Sequence, residues 1–194
     1  MPRRHETRPV RLEMATPEDA GPLTVVAALA FVDDRKSMPE ETLDSILAAD
    51  DPSKGPPHTS YEWTRKMVEG LSHERKEVDS TFYKIVLGDS RIVGGLLVIV
   101  RPDLGEGEWR CEGIYIDPDY QNRGIGQEAF RAMYKLHPDV VRWSLDTPEY
   151  AIGNHHFYER MGFAKTGVSD GDPGAPFSFY DYENTLSREE RLEL

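Results

Sequence analysis

A short segment in the second half of the chain could bind an anion through its main chain. Residues 113–116 are typical of a strand, Pro118 marks a turn, and Gly124 and Gly126 lie in a loop that leads directly into a helix-like sequence at 127–136. The N-terminus of a helix presents free backbone N–H groups and the positive end of the helix dipole, which suits a phosphate. Because glycine has no side chain, an anion can approach the main chain closely. Glycines are also common in ordinary turns, so the loop alone predicts a phosphate site only weakly.

The surrounding residues extend this pattern. The order Gln121-x-x-Gly124-x-Gly126 after a strand resembles the acetyl-coenzyme A (acetyl-CoA) loop of the GNAT family of N-acetyltransferases. Residues 154–163, with the sequence Asn-His-His-Phe-Tyr-Glu-Arg-Met-Gly-Phe, resemble the Asn-x-x-x-Tyr-Glu-x-x-Gly-Phe segment of that family. The resemblance covers about residues 80–185, and the first 80 residues agree only in outline.

The resemblance implies how the acetyl donor, acetyl-CoA, would be bound. The pantetheine arm would pair with three strand residues like an added strand: Ile114, Tyr115 and Ile116. The pyrophosphate would be bound by the backbone N–H groups of five loop residues: Asn122, Arg123, Gly124, Ile125 and Gly126. Gln121, which begins the loop pattern, is also expected to bind the coenzyme. The Arg123 side chain would either add charge or face solvent. Asn154 would contact the pantetheine arm or, alternatively, cap the N-terminus of its helix.

Acetyl transfer to an amine needs few groups, because a thioester is already activated. The attacking amine must be neutral, and alkyl ammonium groups have pKa values near ~10.4, so a base helps at neutral pH. The departing thiolate benefits from a proton. By resemblance, Tyr158 points at the coenzyme sulfur. We expect it to be the acid, because a phenol with a pKa near ~10 is protonated at neutral pH.

The expected base lies on the strand that enters the loop. A glutamate on this strand often removes the amine proton in the resembled family, and Glu112 shares strand parity with the isoleucines that follow it. The number of residues between Glu112 and Gln121 is slightly smaller than in family members with a well-defined base. A β-bulge in this strand would correct the face on which Glu112 lies, but the sequence shows no sign of a bulge. Alternatively, the acids of this strand are solvated or paired with arginines: Glu108 and Glu112 with Arg110 or Arg142.

Other reactive residue types receive structural interpretations. His155 and His156 are adjacent on a helix and cannot bind one metal side by side, so we expect a surface pair and no metal. Cys111 is the single cysteine, which excludes an internal disulfide and a thiolate zinc cluster, and we expect an inert strand residue. Asp146 and Thr147 end a strand near the expected acceptor, where they form either a strand-end turn or substrate contacts.

Charge and hydropathy narrow the class of protein. The 194 residues include 23 Lys and Arg against 35 Asp and Glu, which gives a formal net charge of −12. Nucleic acid is a poor partner for such a chain, whereas a cationic acceptor would be attracted. The longest apolar run, residues 23–32, is too short to span a bilayer, and the basic residues 1–8 are not followed by the apolar stretch of a signal peptide. We therefore expect a soluble cytoplasmic protein without a membrane partner.

The periodicity predicts an α/β domain. Strands are predicted at residues 10–14, 81–87, 91–100, 109–116, 140–147, 163–168 and 177–183. Helices are predicted at residues 16–31, 39–49, 61–75, 127–136 and 154–161, with a frayed or helical tail at 187–194. Gly94 and Gly95 could mark a bulge. We expect a single domain over residues 1–194 with a mixed sheet. The resembled fold has a mixed seven-stranded sheet, helices on both faces and central parallel strands that splay around the pantetheine arm.

Together these observations predict an acetyl-CoA-dependent N-acetyltransferase. Its acceptor would be a primary amine of a small molecule or peptide, between walls formed by residues 61–75, the Glu112 strand and the loop 169–176. The rival interpretation is a non-catalytic acyl-CoA sensor on the same fold. A dinucleotide-binding domain fits poorly, because the loop lacks Gly-x-Gly-x-x-Gly and comes late in the chain. The resemblance also allows a homodimer.

Overall fold

One mixed sheet organises the protein. The computed structural model describes residues 9–40, 60–69, 79–101, 103, 105–170 and 177–194. The seven strands are β1 (Val10–Met14), β2 (Ser80–Leu87), β3 (Arg91–Val100), β4 (Glu108–Ile116), β5 (Arg142–Pro148), β6 (Phe163–Ser169) and β7 (Phe179–Asn184). The α-helices in these ranges are α1 (Ala20–Asp34), α2 (Tyr61–Val68), α3 (Ile125–Leu136), α4 (Ile152–Arg160) and α5 (Arg188–Glu193).

The predicted strands agree with these bounds, whereas α1 begins after a 3₁₀ turn at Pro17–Asp19 and extends to Asp34, three residues beyond its predicted end. Each predicted strand ends within two residues of the observed one, and the tail forms the short helix α5. The predicted helix at 39–49 and the distal part of the one at 61–75 lie largely outside the described residues. Within the described ranges, no helix is long and apolar enough to cross a membrane.

The strand order is β1-β2-β3-β4-β5-β7-β6, and only the central pair β4–β5 is parallel. The expected mixed seven-stranded sheet is therefore confirmed. Helices cover both of its faces. On one face α1 and α2 meet the sheet through Leu23, Met67, Phe82 and Leu97. On the other, α3 and α4 contribute Phe130, Met133 and Tyr158 to the larger core.

The two parallel strands separate soon after they begin to pair. Glu108–Arg110 of β4 pair with Arg142–Ser144 of β5, and the pairing then stops. The rest of β5 pairs with β7, while β4 continues along β3 as far as Ile116. The edge of β4 that faces β5 is therefore open from Cys111 onward. The expected splay between the central strands is confirmed.

A β-bulge lies where the strands part. Leu97 of β3 pairs with Gly113, and the next residue, Val98, pairs with Cys111, which leaves Glu112 as the extra residue. Bulges bend a strand and increase its twist. This one follows the last β4–β5 pair and so turns β4 away from β5. The sequence showed no sign of a bulge at Glu112, and the prediction of a regular strand there is wrong.

A second bulge lies between β2 and β3. Ile85 pairs with Gly94 and Val86 pairs with Ile92, so that Val93 is the extra residue. The bulge suggested by the two glycines of β3 is therefore present, one residue before Gly94. Glycine at the next position, 95, makes room for an aromatic ring, since a Cβ there would lie 2.6 Å from Cζ of Tyr115.

Candidate active site

The gap between β4 and β5 opens into a cavity of about 390 Å³, here called the loop cavity. Its walls come from the end of β4, the turn and loop that follow, the first turn of α3, the end of α1 and one side of α4. Nine residues expected to bind the coenzyme line it together: Ile114, Tyr115, Ile116, Gln121, Asn122, Gly124, Ile125, Gly126 and Asn154. The tenth, Arg123, does not line this cavity.

Local hydrogen bonds shape the loop. After β4, the Asp117 carboxylate accepts from the backbone N–H of Asp119 at 2.9 Å, which starts a short 3₁₀ turn. The Gln121 side chain donates to the carbonyl of Ile116 at 3.0 Å and ties the loop back to the strand. Gly124 precedes α3 with φ +80°, a left-handed conformation that glycine adopts without strain. This path brings the N-terminus of α3 beside the open edge of β4.

The first turn of α3 leaves N–H groups available to a ligand, because the first four N–H groups of a helix have no partner within it. A Cβ at Gly126 would lie 3.3 Å from Cε2 of Phe157 and 3.8 Å from Cγ1 of Ile116. Glycine at 126 therefore keeps the passage between α3, α4 and β4 clear. The cradle of backbone donors fits a pyrophosphate.

Two arginines behave differently around this loop. The Arg123 guanidinium donates to the carbonyl of Asp119 at 2.6 Å and lies 5.4 Å from the centre of the Tyr120 ring. Its side chain thus turns back on the exposed surface of the turn, as one of the two expectations had it. Arg160, at the end of α4, does line the loop cavity. Sequence reasoning missed it, although a cation in the last helical turn is common.

Helix α4 brings two of the expected residues to the inner end of the loop cavity. Asn154 donates from Nδ2 to Oγ1 of Thr147 at 3.3 Å. The N-cap of α4 is Ala151, so the alternative of Asn154 as helix cap is wrong. Tyr158 is 6 % exposed and lies one turn further along the helix. Burial raises the pKa of Tyr158 well above its usual value, so its phenol remains protonated at neutral pH.

A second cavity, about 810 Å³ and here called the aromatic cavity, lies beside the first. Aromatic side chains form much of its lining: Phe31, Trp63, Phe82, Tyr115, Tyr150, Tyr158, Phe177 and Phe179. Charged side chains line it as well: Asp34, Arg110, Glu112, Asp146 and Asp170. The expected walls from α2 and β4 are present. Ser169 and Asp170 represent the third wall, and residues 171–176 lie outside the described ranges.

The two cavities share part of their lining, which marks the place where they meet. The shared residues are Ala30, Asp34, Ile114, Tyr115, Ala151, Asn154 and Tyr158. The Tyr158 side chain therefore lies where a group in one cavity can reach a group in the other. Asp34 is the acidic member of this set, and the sequence interpretation missed it. The available signal was a pair of aspartates at the C-terminal end of a helix, where the dipole disfavours negative charge.

The two acids of β4 differ in position, and both are paired. Glu112 is exposed, lines the aromatic cavity and accepts from Nε of Arg110 at 2.9 Å. The same guanidinium donates to Asp146 through Nη2. Glu108 is 8 % exposed and accepts from Nε of Arg142 at 2.6 Å. The alternative that these acids form arginine pairs is therefore correct.

The structure also tests the expectations for His155, His156 and Cys111. His155 is buried, with Nδ1 2.8 Å from the Tyr182 hydroxyl and Nε2 3.1 Å from the carbonyl of Glu149. A carbonyl can only accept, so Nε2 carries the proton. The expected surface pair is therefore wrong for His155 and correct for the exposed His156. Burial raises the pKa of the Cys111 thiol to about 12, which agrees with an inert residue.

A comparison with protein families decides the assignment. The model of the acetyltransferase (GNAT) family matches residues 41–163, more than half of the chain. The chain belongs to this family. The matched segment includes β2 to β5, the glycine loop and α4, and thus most of both cavities.

Known proteins resemble this family member in sequence or in fold. The uncharacterized protein YrkN of Bacillus subtilis (strain 168) is 32 % identical over 79 residues, which span 40 % of this chain and 42 % of that protein. An acetyltransferase of Thermus thermophilus has a TM-score of 0.63 at 19 % identity, over 93 % of this chain and 99 % of that one.

Two further structures share the fold. The PaiA N-acetyltransferase of Thermoplasma acidophilum, solved in complex with coenzyme A, has a TM-score of 0.65 at 16 % identity and covers 92 % of this chain and 99 % of that one. A chimera of the spermidine N-acetyltransferase SpeG from Vibrio cholerae and hSSAT has a TM-score of 0.64 at 11 % identity, over 95 % and 99 % of the two chains. At these identities the likeness shows the fold alone.

Proposed function

We propose that this GNAT family member transfers an acetyl group from acetyl-CoA to a primary amine. The observation that carries the proposal is the junction of the two cavities at Tyr158. One cavity begins at a glycine loop and a helix N-terminus, which suit a phosphorylated donor. The other is lined by acidic and aromatic side chains, which suit an amine. A family member solved with coenzyme A supports the choice of donor.

The residues of the loop cavity fit coenzyme A as the donor substrate. The open edge of β4 at Ile114, Tyr115 and Ile116 offers backbone groups to the amides of the pantetheine arm, as an added strand would. The N–H groups of residues 122–126 would hold the pyrophosphate, with Arg160 as a nearby cation. Asn154 would orient the arm near the thioester. The donor supplies an acyl group that is already activated.

Tyr158 would act as the general acid. Its phenol is kept protonated by burial and can donate to the sulfur as the carbon–sulfur bond breaks. Glu112 is the base expected from the sequence. It lines the acceptor side, although Arg110 already occupies one of its carboxylate oxygens.

The aromatic cavity would hold the acceptor. Among the described residues that line it, carboxylates outnumber arginines, and aromatic rings attract cations through their faces. The favoured acceptor is therefore a cationic primary amine with an aromatic or other apolar part, on a small molecule or a peptide. Neighbours named as a spermidine acetyltransferase and as ribosomal-protein acetyltransferases are consistent with an amine.

The test uses two probes with acetyl-CoA: 2-phenylethylamine, which has a ring and one cationic amine, and spermidine, which has no ring. We expect release of free thiol and formation of the acetylated amine, detected by mass spectrometry, with 2-phenylethylamine preferred. Calorimetry with coenzyme A provides an independent measure of donor binding. If coenzyme A binds but no amine in a broad panel releases thiol, the protein is a sensor and not an enzyme.

A further inference from the structure

One carboxylate stands out at the junction of the two cavities. Of the acidic residues in the described ranges that line either cavity, Asp34 alone lines both. It is the last residue of α1 and is exposed at the junction. Tyr158 and Asn154, the residues placed beside the thioester, line the same junction. Asp34 therefore lies on the wall of the junction through which an amine would reach the thioester from the aromatic cavity.

We propose that Asp34 is the general base that accepts a proton from the acceptor ammonium, an inference that rests on the proposed function. The alternative base, Glu112, lines only the aromatic cavity and is held by Arg110 at 2.9 Å. Arg110 also binds Asp146, so both carboxylates on that wall are compensated by one cation. Asp34 thus combines access to both substrates with a position outside this ion-pair cluster.

The electrostatic surroundings of Asp34 suit the role. Enclosure by the protein, with a smaller contribution from the neighbouring charge of Asp33, raises the pKa of Asp34 to about 6. The side chain also stays in contact with water at the junction, which gives an accepted proton a route to solvent. A base is more effective when its pKa is nearer to the working pH, provided that it is still ionised there. At pH 7 a carboxyl group with this pKa is mostly ionised.

Several charged and titratable groups among the described residues lie around Asp34. Asp33 forms an ion pair with Lys36 at 2.6 Å. Burial raises the pKa of Tyr158 and of Tyr150, and the Asp34 charge adds to both shifts. The walls of the two cavities also carry Arg110, Glu112, Asp146, Arg160 and Asp170. Neither tyrosine titrates near pH 6, so an acidic limb in that range would belong to a carboxyl group.

The proton balance of the step is complete. The ammonium gives one proton to the Asp34 carboxylate and becomes a neutral amine, whose lone pair forms the carbon–nitrogen bond at the acetyl carbon. The carbon–sulfur bond breaks, and the sulfur takes the phenolic proton of Tyr158. Tyr158 recovers a proton from the nitrogen, which must lose one to become an amide. Asp34 finally releases its proton to solvent, so one ammonium and one thioester yield an amide, a thiol and a proton.

The first test compares two acceptors of similar shape. In 2,2-difluoro-2-phenylethylamine the fluorines lower the basicity of the amine, so that far more of it is neutral at pH 7 than of 2-phenylethylamine. With Asp34→Asn we expect kcat for 2-phenylethylamine to fall by about 10²–10⁴-fold, the usual contribution of a general base. The difluoro amine should lose less than about tenfold, because it needs little deprotonation. If Asp34→Asn lowered kcat equally for both amines, the loss would indicate a structural defect, and the assignment of Asp34 as the general base would be overturned.

The second test follows the pH dependence. Wild-type kcat/KM for 2-phenylethylamine should fall as the pH drops through about 6, because Asp34 then becomes protonated. Asp34→Asn should remove this limb. Asp33→Asn should move it to lower pH, because a neighbouring negative charge is lost. Carbon-13 NMR of the Asp carboxyl groups in the free protein measures the pKa of Asp34 without substrate, and an acidic limb of the rate profile that does not coincide with this pKa, or that survives in Asp34→Asn, would contradict the proposal.

The outcomes separate this inference from the proposed function. If the wild-type protein acetylates neither these two amines nor any other amine of the broad panel, the proposed function fails and the base assignment fails with it. If the wild type is active while Asp34→Asn keeps its rate and pH profile, only the base assignment fails. In that case Glu112→Gln should show the selective loss, and the base would be the residue of β4.

Discussion

At the scale of single residues, Tyr158 shows how burial prepares a weak acid. The ring packs against Phe130, Phe157 and Phe163, with ring centroids 5.2–6.3 Å apart. Removing the phenol from water disfavours the charged form, so the pKa of Tyr158 rises and its proton stays available as the leaving sulfur develops charge. In the proposed reaction the sulfur takes this proton while the acetylated nitrogen returns one to the phenol, so no free tyrosinate has to persist. Burial likewise raises the pKa of the Cys111 thiol, which keeps this residue protonated and unreactive.

Replacing Tyr158 by Phe removes one hydroxyl group and keeps the ring. We expect kcat to fall by about 10²–10⁴-fold while the affinity for coenzyme A stays nearly normal, since a general acid acts on the transition state. Tyr83→Phe is the matched control, because Tyr83 is also buried but lines neither cavity. It should keep wild-type turnover. Stopped-flow or steady-state thiol release with calorimetry checks both, and wild-type turnover in Tyr158→Phe would rule out the acid role.

At the scale of elements, the donor site depends on one local irregularity. The bulge at Glu112 turns β4 away from β5, and this opens the gap that the loop cavity occupies. Helix α3 then places its N-terminus at the mouth of the gap, where Gly126 faces Phe157 and Ile116. A site built on a strand edge and a helix end is rigid, because both backbones are held by regular hydrogen bonds. We therefore expect a larger side chain in the gap itself to block the binding of the donor.

Gly126→Val is therefore expected to block donor binding. The branched side chain would enter the passage beside Phe157, so we expect the affinity for coenzyme A to fall more than tenfold, which is about 1.4 kcal/mol or more. Gly124 is a poorer position for this test, because φ +80° strains any branched residue there. Gly21→Val in α1 is the control, since a Cβ at Gly21 meets nothing within 4 Å. Calorimetry measures binding and thermal unfolding checks the fold; unchanged affinity in a folded Gly126→Val would reject the loop as the donor site.

At the scale of the whole molecule, charge would separate the two substrates. The net charge of −12 would repel an anionic coenzyme, so donor binding as proposed would depend on the local hydrogen-bond donors of the loop and not on the overall field. The same field attracts a cationic acceptor. The carboxylates that line the aromatic cavity would strengthen this attraction near the junction of the two cavities.

The acceptor preference should therefore depend on salt. The screening length falls from about 30 Å at 0.01 M to about 8 Å at 0.15 M ionic strength, so attraction to the cationic amine weakens. We expect kcat/KM for 2-phenylethylamine to decrease over this range, while that of the difluoro amine, measured at a pH where it is neutral, should change little. If the neutral amine is preferred at both salt concentrations, the electrostatic argument fails and the family assignment is unaffected.

The amino-acid sequence alone determined the features that are local or periodic. Apolar periodicity marked the strands, and Gly124 marked the loop before α3, whose first turn contains Gly126. These succeed because hydrogen bonding and steric rules act between residues that are close along the chain. The family pattern placed Tyr158 for the same reason, since it depends on spacing within one helix.

Only the tertiary structure decided which side chains meet. The extra residue at Glu112 arises from how β3 and β4 pair, and the burial of His155 depends on β7, far along the chain. Asp34 gains its position because α1 ends beside α4, more than a hundred residues later in the sequence. Such contacts depend on how separate elements pack, and composition, periodicity and spacing within one segment carry no record of that packing.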